Sequence, residues 1–555
     1  MVKDVFTFIV GGKAGEGVKK SGSIAAKLFT KMGRQIFQRD DYMSLIQGGH
    51  NYSVVSTANR WISSQYENEV ELIVNSDERS YNNHKEKIGE NGILIFNSDK
   101  QEDANGIGVP FSSKAKEYKA KELMFGVGAF AVLASAIGQP KDMLEEILKE
   151  EFPEKTWEDN IAFATEIYDF VDSEIGGKFK LDRGDKKRPI LTGNESLTLG
   201  AVAGGLDCYF AYPMTPASSI LHFLASHKKE FNLSVVQPEN EIAVINMAIG
   251  SSFSGAKTMV ASSGGGYALM NEGYSLAGMS ESPLVVVLTS RPAPASGVPT
   301  YTEQGDLQYA LNSGHGDFLR IVASPASMEE AFYLSSELFD LTYRFQTPAI
   351  FLTSKHLSES HITVDLNLKK TKWAEPKLSE GDGEYKRYLD TEDGISPMKF
   401  IPSDELVKWN SYEHDELGIT TEDPDITAKM HDKRYRKRET MIEYMKNNLK
   451  TVNVYGDSGP LIFTWGSTTM SVLEALKYGD IDATVVQPIY LRPFPVWEVQ
   501  KYQNQPVISV ELNKWGQFTQ LIKEKARIEV KKLINQYNAR PFDPIELSTR
   551  LKEVI

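Results

Sequence analysis

Val5-Phe6-Thr7-Phe8-Ile9-Val10 is a continuous apolar run, the pattern of a strand buried on both faces in a parallel sheet. Past Gly11-Gly12-Lys13-Ala14-Gly15-Glu16-Gly17, the apolar residues Val18, Ile24, Ala25, Leu28 and Phe29 recur at helical spacing. Shorter runs predict strands at 52–56, 70–75 and 92–96, followed by a helix-rich stretch over 122–170. Strands alternating with helices predict a doubly wound α/β domain over 1–180, closed by a Gly-, Lys- and Asp-rich linker at 176–188. The alternation resumes near Pro189, with strands at 206–211, 234–236, 257–261 and 284–289. Helices are expected at 194–203, from Ile220, over Ile242, Ile245, Ala248 and Ile249, and at 267–279. This predicts a second α/β domain over 189–358. Between 359 and 452 apolar runs thin out and charge dominates, with Lys386-Arg387-Tyr388 and Lys433-Arg434-Tyr435-Arg436-Lys437-Arg438. On pattern alone that stretch is a long solvated connection, its basic runs an exposed face or a subunit contact. A last α/β unit spans 453–555, with strand and turn over 461–467, strands at 483–487 and 506–511 and a helix at 471–476.

Length supports several cores, since 555 residues exceed what one domain sustains. With 41% hydrophobic and 25% charged residues the composition is that of a soluble globular protein. A formal charge of −14 argues against a nucleic-acid or anionic-membrane surface, so neither partner is expected. No apolar run approaches the length of a membrane span, and Met1-Val2-Lys3-Asp4 leads straight into a strand rather than a signal peptide. A cytoplasmic location is the expectation. Cys208 is the one cysteine, which excludes a disulfide framework and a four-thiolate iron–sulfur site built by this chain alone.

The glycine-rich turn at 11–17 stands where backbone N–H groups can cradle an anion. It matches neither formal motif. Val18 follows Gly17 where a P-loop needs Lys and then Ser or Thr, and Lys20 stands where a dinucleotide fingerprint needs its third glycine. A tight turn and a phosphate site both remain open there. A second glycine pair, Gly48-Gly49, precedes the 52–56 strand.

The candidate chemistry lies in the 189–358 domain. In Tyr212-Pro213-Met214-Thr215-Pro216 two prolines bracket Thr215 and hold its hydroxyl on a stiff turn at a strand's carboxyl end, with Ser218 or Ser219 expected to cap the next helix. Glu239-Asn240-Glu241 opens a helix, where acidic residues also serve as plain macrodipole partners. Ser262-Ser263-Gly264-Gly265-Gly266 follows the next strand. Arg291, at the end of the one after, offers a planar fork suited to a carboxylate, or to an ordinary surface ion pair. Their coincidence at the carboxyl ends of successive strands favours a ligand site.

With these residues in place the chain resembles the large subunit of the 2-oxoacid:ferredoxin oxidoreductases, in the form that fuses a gamma-type domain ahead of the alpha subunit. The resemblance rests on Tyr212-Pro213-Met214-Thr215-Pro216, Glu239-Asn240-Glu241, and Arg291 with Gly297-Val298-Pro299-Thr300. It extends to Thr391-Glu392-Asp393-Gly394-Ile395-Ser396-Pro397 and Glu413-His414-Asp415-Glu416. It runs from Gly11 to the C-terminus. Two stretches depart from the family pattern: Ser263-Gly264-Gly265-Gly266 replaces S-G-P-G, and Ala293-Pro294-Ala295-Ser296-Gly297 replaces G-P-S-T-G. Both border the substrate pocket, so they bear on which substrate is taken more than on fold or chemistry.

The resemblance implies a gamma-type α/β domain at 1–180, a pyrimidine-binding thiamine-diphosphate domain at 189–358, an extended connection at 359–452 and a transketolase C-terminal-like domain at 453–555. It implies coenzyme A-dependent oxidative decarboxylation of a 2-oxoacid such as pyruvate or 2-oxoglutarate, with electrons passed to ferredoxin. Glu241 would pair with the cofactor's pyrimidine nitrogen, with Tyr212, Pro213, Thr215, Gly264 and Gly265 around it. Thr215 and Arg291 would grip the substrate carboxylate. Thiamine diphosphate would be shared with a beta subunit that carries the Mg2+ loop and a [4Fe-4S] cluster, leaving no metal site on this chain. A heterodimer or dimer of heterodimers is expected. The alternatives are half of another thiamine-dependent enzyme, of transketolase or 2-oxoacid dehydrogenase type, and a non-catalytic partner-binding subunit.

Overall fold

The computed structural model describes residues 4–43, 49–102, 104–119, 123–380 and 383–555. Its α/β fold is carried by three sheets. The apolar strand Phe6–Lys13 lies inside the first of them, an eight-stranded sheet. It is parallel to Val70–Asn75 on one side and antiparallel to His50–Ala58 on the other, rather than flanked by parallel strands only. The reason is chain length. Gln35–Asp41 is followed too closely by His50–Ala58 for a crossover helix to fit between them, so the two pair antiparallel. At the far edge of this sheet His361–Thr363 pairs with Gln35–Asp41 and with Ile190–Thr192. The chain therefore returns to the first sheet at both ends of the 189–358 stretch, through strands too short to leave a pattern.

The seven-stranded middle sheet runs in the order Tyr490–Arg492, Ile321–Ala323, Pro348–Ser354, Leu284–Ser290, Thr258–Ser262, Cys208–Phe210, Ser234–Val236. All neighbours are parallel except Tyr490–Arg492, which the C-terminal part of the chain contributes antiparallel to Ile321–Ala323. Leu284–Ser290 is wholly buried, as helices cover both faces of such a sheet. The third sheet runs Val452–Tyr455, Thr484–Pro488, Leu461–Phe463, Val507–Glu511, Val530–Asn535, backed by helices Thr468–Gly479 and Pro544–Lys552.

The stretch expected to be a solvated connection buries Arg387, Tyr388, Ser396 and His414 and ends in a long helix, Pro424–Asn448. Asp423 caps this helix by accepting from the Asp425 and Ile426 N–H groups. Its basic run is not an exposed face throughout. Lys433 and Lys437, one turn apart, are buried and reach the two oxygens of the buried Glu281 at 2.6 and 2.7 Å. Arg387 donates to the Glu281 carbonyl and to Gln346. Burial alone would raise the Glu281 pKa, but Lys433 and Lys437 overcome it and hold the carboxyl well below the usual range. Burial lowers Lys433 to about 8 against the pull of Glu281. A charge run gives no sign of a counter-ion so distant in sequence, which is why the pattern reads as solvent-facing.

Glu281→Gln leaves two buried ammonium groups without a carboxylate and should destabilise the fold by about 3–5 kcal/mol near neutral pH. In the variant both lysines have folded pKa values below their unfolded ones, so folding releases protons and stability rises with pH. Denaturant titrations at pH 7 and pH 9 measure this. An equal loss at both values, or none, contradicts the network.

Candidate active site

Four adjacent parallel strands of the middle sheet, Leu284–Ser290, Thr258–Ser262, Cys208–Phe210 and Ser234–Val236, end on one edge. The loops that leave them there carry the candidate residues. After Cys208–Phe210 the chain turns through Tyr212 and Pro213, both exposed, to the half-buried Thr215, whose bond to Pro216 is cis. The following helix, Ser218–His227, begins at Ala217 with no side-chain cap. Neither expected serine caps it, since the helix already includes Ser218 and Ser219, and Asn194 Nδ2 donates to Ser219 Oγ at 2.7 Å and to the Pro216 carbonyl at 2.9 Å. The serine is thereby tied to a neighbouring helix.

Arg291 and Thr215 meet. Arg291 Nη1 donates to the Thr215 carbonyl at 2.6 Å, so the arginine braces the turn between the two prolines. Burial moves the guanidinium pKa down from its ordinary value, with Asp306 opposing. Met214 also reaches across the edge, accepting from Ser262 Oγ at Sδ, 3.8 Å away.

Glu241 is the first residue of the helix Glu241–Phe253, which Asn240 caps by accepting from the Ala243 N–H at 3.0 Å. With the cap supplied by Asn240, Glu241 is free for another role. It is 3% exposed, and its Oε1 has no hydrogen-bond partner, whereas Glu239 is exposed. A buried carboxylate oxygen without a donor is costly unless something else satisfies it.

The glycines divide the space around that oxygen. A Cβ on Gly266 would collide with Glu241 Oε1 and Ser262 Oγ, so glycine is what lets the backbone pass this close to the carboxylate. At Gly264 it would meet Asp306 Oδ1 at 3.0 Å, while Gly265 faces open space. Ser263 Oγ is buried without a partner as well. Gly266 is thus the glycine in contact with Glu241, a role that three consecutive glycines do not distinguish in sequence.

Asp306 and Ser290 were not among the candidates. Ser290 Oγ donates to Asp306 Oδ2 at 2.8 Å, at the end of the strand that leads to Arg291. Burial raises the Asp306 carboxyl, with Ser290 and Arg291 opposing, and burial followed by Asp306 raises Glu303. In Thr302-Glu303-Gln304-Gly305-Asp306 the acids carry no periodic signal, and only burial marks Asp306.

Away from this edge, the turn at 11–17 is filled from within. The Glu16 carboxylate accepts from the Lys13 N–H at 2.8 Å and pairs with Lys100 at 2.6 Å, taking the position an external anion would occupy. Gly49 accepts from the Ala14 N–H, and Gly48 lies outside the described residues. Among the described residues no group of three or more His, Cys, Asp or Glu side chains is placed to hold a metal ion. No described helix is long and apolar enough to cross a membrane.

Comparison with known proteins gives matches along most of the chain. Residues 199–435 match the family model described as "Pyruvate flavodoxin/ferredoxin oxidoreductase, thiamine diP-bdg", and residues 7–170 match "Pyruvate ferredoxin/flavodoxin oxidoreductase". The chain is 28% identical to the 2-oxoacid:ferredoxin oxidoreductase subunit alpha of Sulfolobus sp, over 99% of this chain and 97% of that one. It is 30% identical to the 2-oxoglutarate synthase subunit KorA of Archaeoglobus fulgidus, over 61% of this chain and 91% of the relative. Its structure is similar to that of the 2-oxoglutarate:ferredoxin oxidoreductase from Magnetococcus marinus, solved with 2-oxoglutarate, coenzyme A and succinyl-CoA bound. The TM-score is 0.90 at 29% identity, and 100% of both chains is covered.

Proposed function

The chain belongs to the family of 2-oxoacid:ferredoxin oxidoreductase alpha subunits, and from that premise we propose that its middle-sheet edge holds the pyrimidine end of thiamine diphosphate and clamps a 2-oxoacid for oxidative decarboxylation onto coenzyme A. The observation that carries this reading is the buried, unpartnered Oε1 of Glu241 beside Gly266. An acid kept there without a donor suits a ligand that brings its own proton, and Gly265, next to Gly266 in the chain, faces open space. These residues fit the pyrimidine ring of thiamine diphosphate.

When bound, that cofactor supplies the electron sink for cleaving the bond to the 2-oxoacid carboxylate. This chain's residues orient and tune. Glu241 Oε1 would pair with the pyrimidine nitrogen and hold or return a proton there, and Tyr212, Pro213 and the Gly264-Gly265 turn would stand around the ring. Arg291 uses one N–H to brace the Thr215 carbonyl, and its remaining donors, with the Thr215 hydroxyl, take the substrate carboxylate.

A partner completes the enzyme in this reading. The single cysteine cannot bind a [4Fe-4S] cluster, and the sequence contains no diphosphate–Mg2+ loop, so both are assigned to a beta subunit. That subunit passes electrons to ferredoxin, and the assembly is a heterodimer or a dimer of heterodimers in the cytoplasm. 2-Oxoglutarate leads the substrates to try, since the Magnetococcus marinus enzyme was solved with it bound. The test is the chain purified with its native partner and assayed with 2-oxoglutarate, pyruvate and branched-chain 2-oxoacids. Coenzyme A-dependent ferredoxin reduction with at least one is expected, and none with any overturns the proposal.

Within that assay Arg291→Lys keeps the charge and loses both the fork and the brace on Thr215. Loss of a charge-assisted bond of about 1.5–3 kcal/mol should lower kcat/KM for the 2-oxoacid by about one to two decades. Thr215→Val should do less, because only a neutral donor is removed. Wild-type kcat/KM in Arg291→Lys removes the arginine from the clamp.

A further inference from the structure

The C-terminal α/β unit contributes none of the residues proposed above to touch cofactor or substrate. Yet one buried side chain ties it directly to the site loop. Gln304 is 1% exposed and bonds to that unit from backbone and side chain alike. Its N–H donates to the Leu512 carbonyl at 2.7 Å, and its Nε2 donates to the Trp465 carbonyl at 3.0 Å. Its Oε1 accepts from Thr468 Oγ1 at 2.6 Å and from the Leu512 N–H at 3.2 Å. On either side the grip continues. Gln517 Nε2 donates to the Gly305 carbonyl at 2.7 Å, its Oε1 accepts from the Gln308 N–H at 2.9 Å, and the Thr302 N–H donates to the Ala539 carbonyl. A side chain at Gly466 would press on Gln304 Nε2 at 2.9 Å, so the pocket in the C-terminal unit is shaped to this amide.

Two residues farther on, Asp306 accepts from Ser290 Oγ and stands against Gly264, with Arg291 adjoining Ser290 in the chain. The segment 304–306 is therefore fixed at one end to the C-terminal unit and at the other to the strand end that bears the carboxylate clamp. Both bonds formed by a primary amide at Oε1 and the donation from Nε2 lie in the buried interior, where hydrogen bonds fix geometry most strictly. We propose that Gln304 is a positioning residue through which the C-terminal unit holds Asp306, and with it Arg291 and the Gly264 turn, in place for the 2-oxoacid. The proposal rests on the functional reading above and adds to it a task for the C-terminal unit, which otherwise only packs.

The test uses the complex with the native partner and two variants. Gln304→Met keeps length and bulk but loses the side-chain hydrogen bonds, and Thr468→Val removes one donor to Oε1 at nearly constant volume. In Gln304→Met the KM for the 2-oxoacid should rise about tenfold with kcat within about twofold and the KM for coenzyme A unchanged. Thr468→Val should move the same constant in the same direction by less. Amide hydrogen exchange over 303–306 should accelerate in both variants, a readout independent of turnover. An unchanged 2-oxoacid KM in both variants overturns the proposal, even where apparent kcat falls, since a smaller folded fraction lowers the rate and leaves KM alone; so does an equal shift in the KM values for 2-oxoacid and coenzyme A. If Gln304→Met yields no soluble complex, Thr468→Val decides alone. If the wild-type complex turns over no 2-oxoacid, the functional reading fails, and the exchange rates still decide whether Gln304 anchors the loop.

Discussion

Glu241→Gln should leave an assembled enzyme that binds thiamine diphosphate and scarcely turns over. The amide has the carboxylate's shape and fits beside Gly266 where no larger group would. It can still hydrogen-bond, but it cannot take up and return a proton at the pyrimidine nitrogen. Proton transfer by a positioned side chain is worth about 10²–10⁴-fold, and the loss should fall within that range or beyond it, on kcat rather than on cofactor affinity. Glu239→Gln is the control, since Glu239 is exposed and the cap of that helix is made by Asn240. Steady-state rates and calorimetric cofactor binding on the two variants check this. Near wild-type turnover in Glu241→Gln, or a dead Glu239→Gln, reverses the choice of carboxylate.

How far the sequence could lead depended on whether a residue's role is local. The alternation of apolar strands and helices is local, and it foretold the α/β sheets. Thr215 between two prolines and Arg291 at a strand end are also local patterns, and the structure brings them within one hydrogen bond. What was not legible depended on distant neighbours. Lys433 and Lys437 read as solvent-facing because Glu281 lies far away in the chain. Asp306 and Gln304 sit in an unremarkable polar stretch, and only the approach of Ser290 and of the C-terminal unit gives them partners. The antiparallel turn of the first sheet and the short strands Ile190–Thr192 and His361–Thr363 are set by pairing, which periodicity within one segment does not record. Ser218 or Ser219 looked like a helix cap, but the helix starts one residue earlier and takes both serines in.

The isolated chain should be colourless, inactive and a weak binder of thiamine diphosphate. The edge of the middle sheet offers the pyrimidine ring a carboxylate and a glycine-lined space, which alone do little against the loss of ligand freedom on binding. Among the described residues no group of three or more His, Cys, Asp or Glu side chains is placed to hold a metal for the diphosphate. Around the edge, large apolar side chains are left in water: Ile242 beside Glu241 is 52% exposed, Leu269 past the glycine turn 51%, and Val298 in the loop after Arg291 42%. Ile242 and Leu269 line one common surface pocket, and apolar side chains exposed together mark a surface that another protein covers. A partner seated there would bring the second half of the cofactor site and exclude water from the reacting atoms, which calls for a large interface, about 2,000 Å² or more. Adding the native partner should therefore restore three things together: cofactor affinity, visible iron–sulfur absorbance and 2-oxoacid turnover. Calorimetry, spectra and decarboxylation assays on the chain alone and on the complex measure them. Tight cofactor binding with turnover by the lone chain would instead describe a self-contained thiamine enzyme, and Glu241 would then need a diphosphate site within these 555 residues.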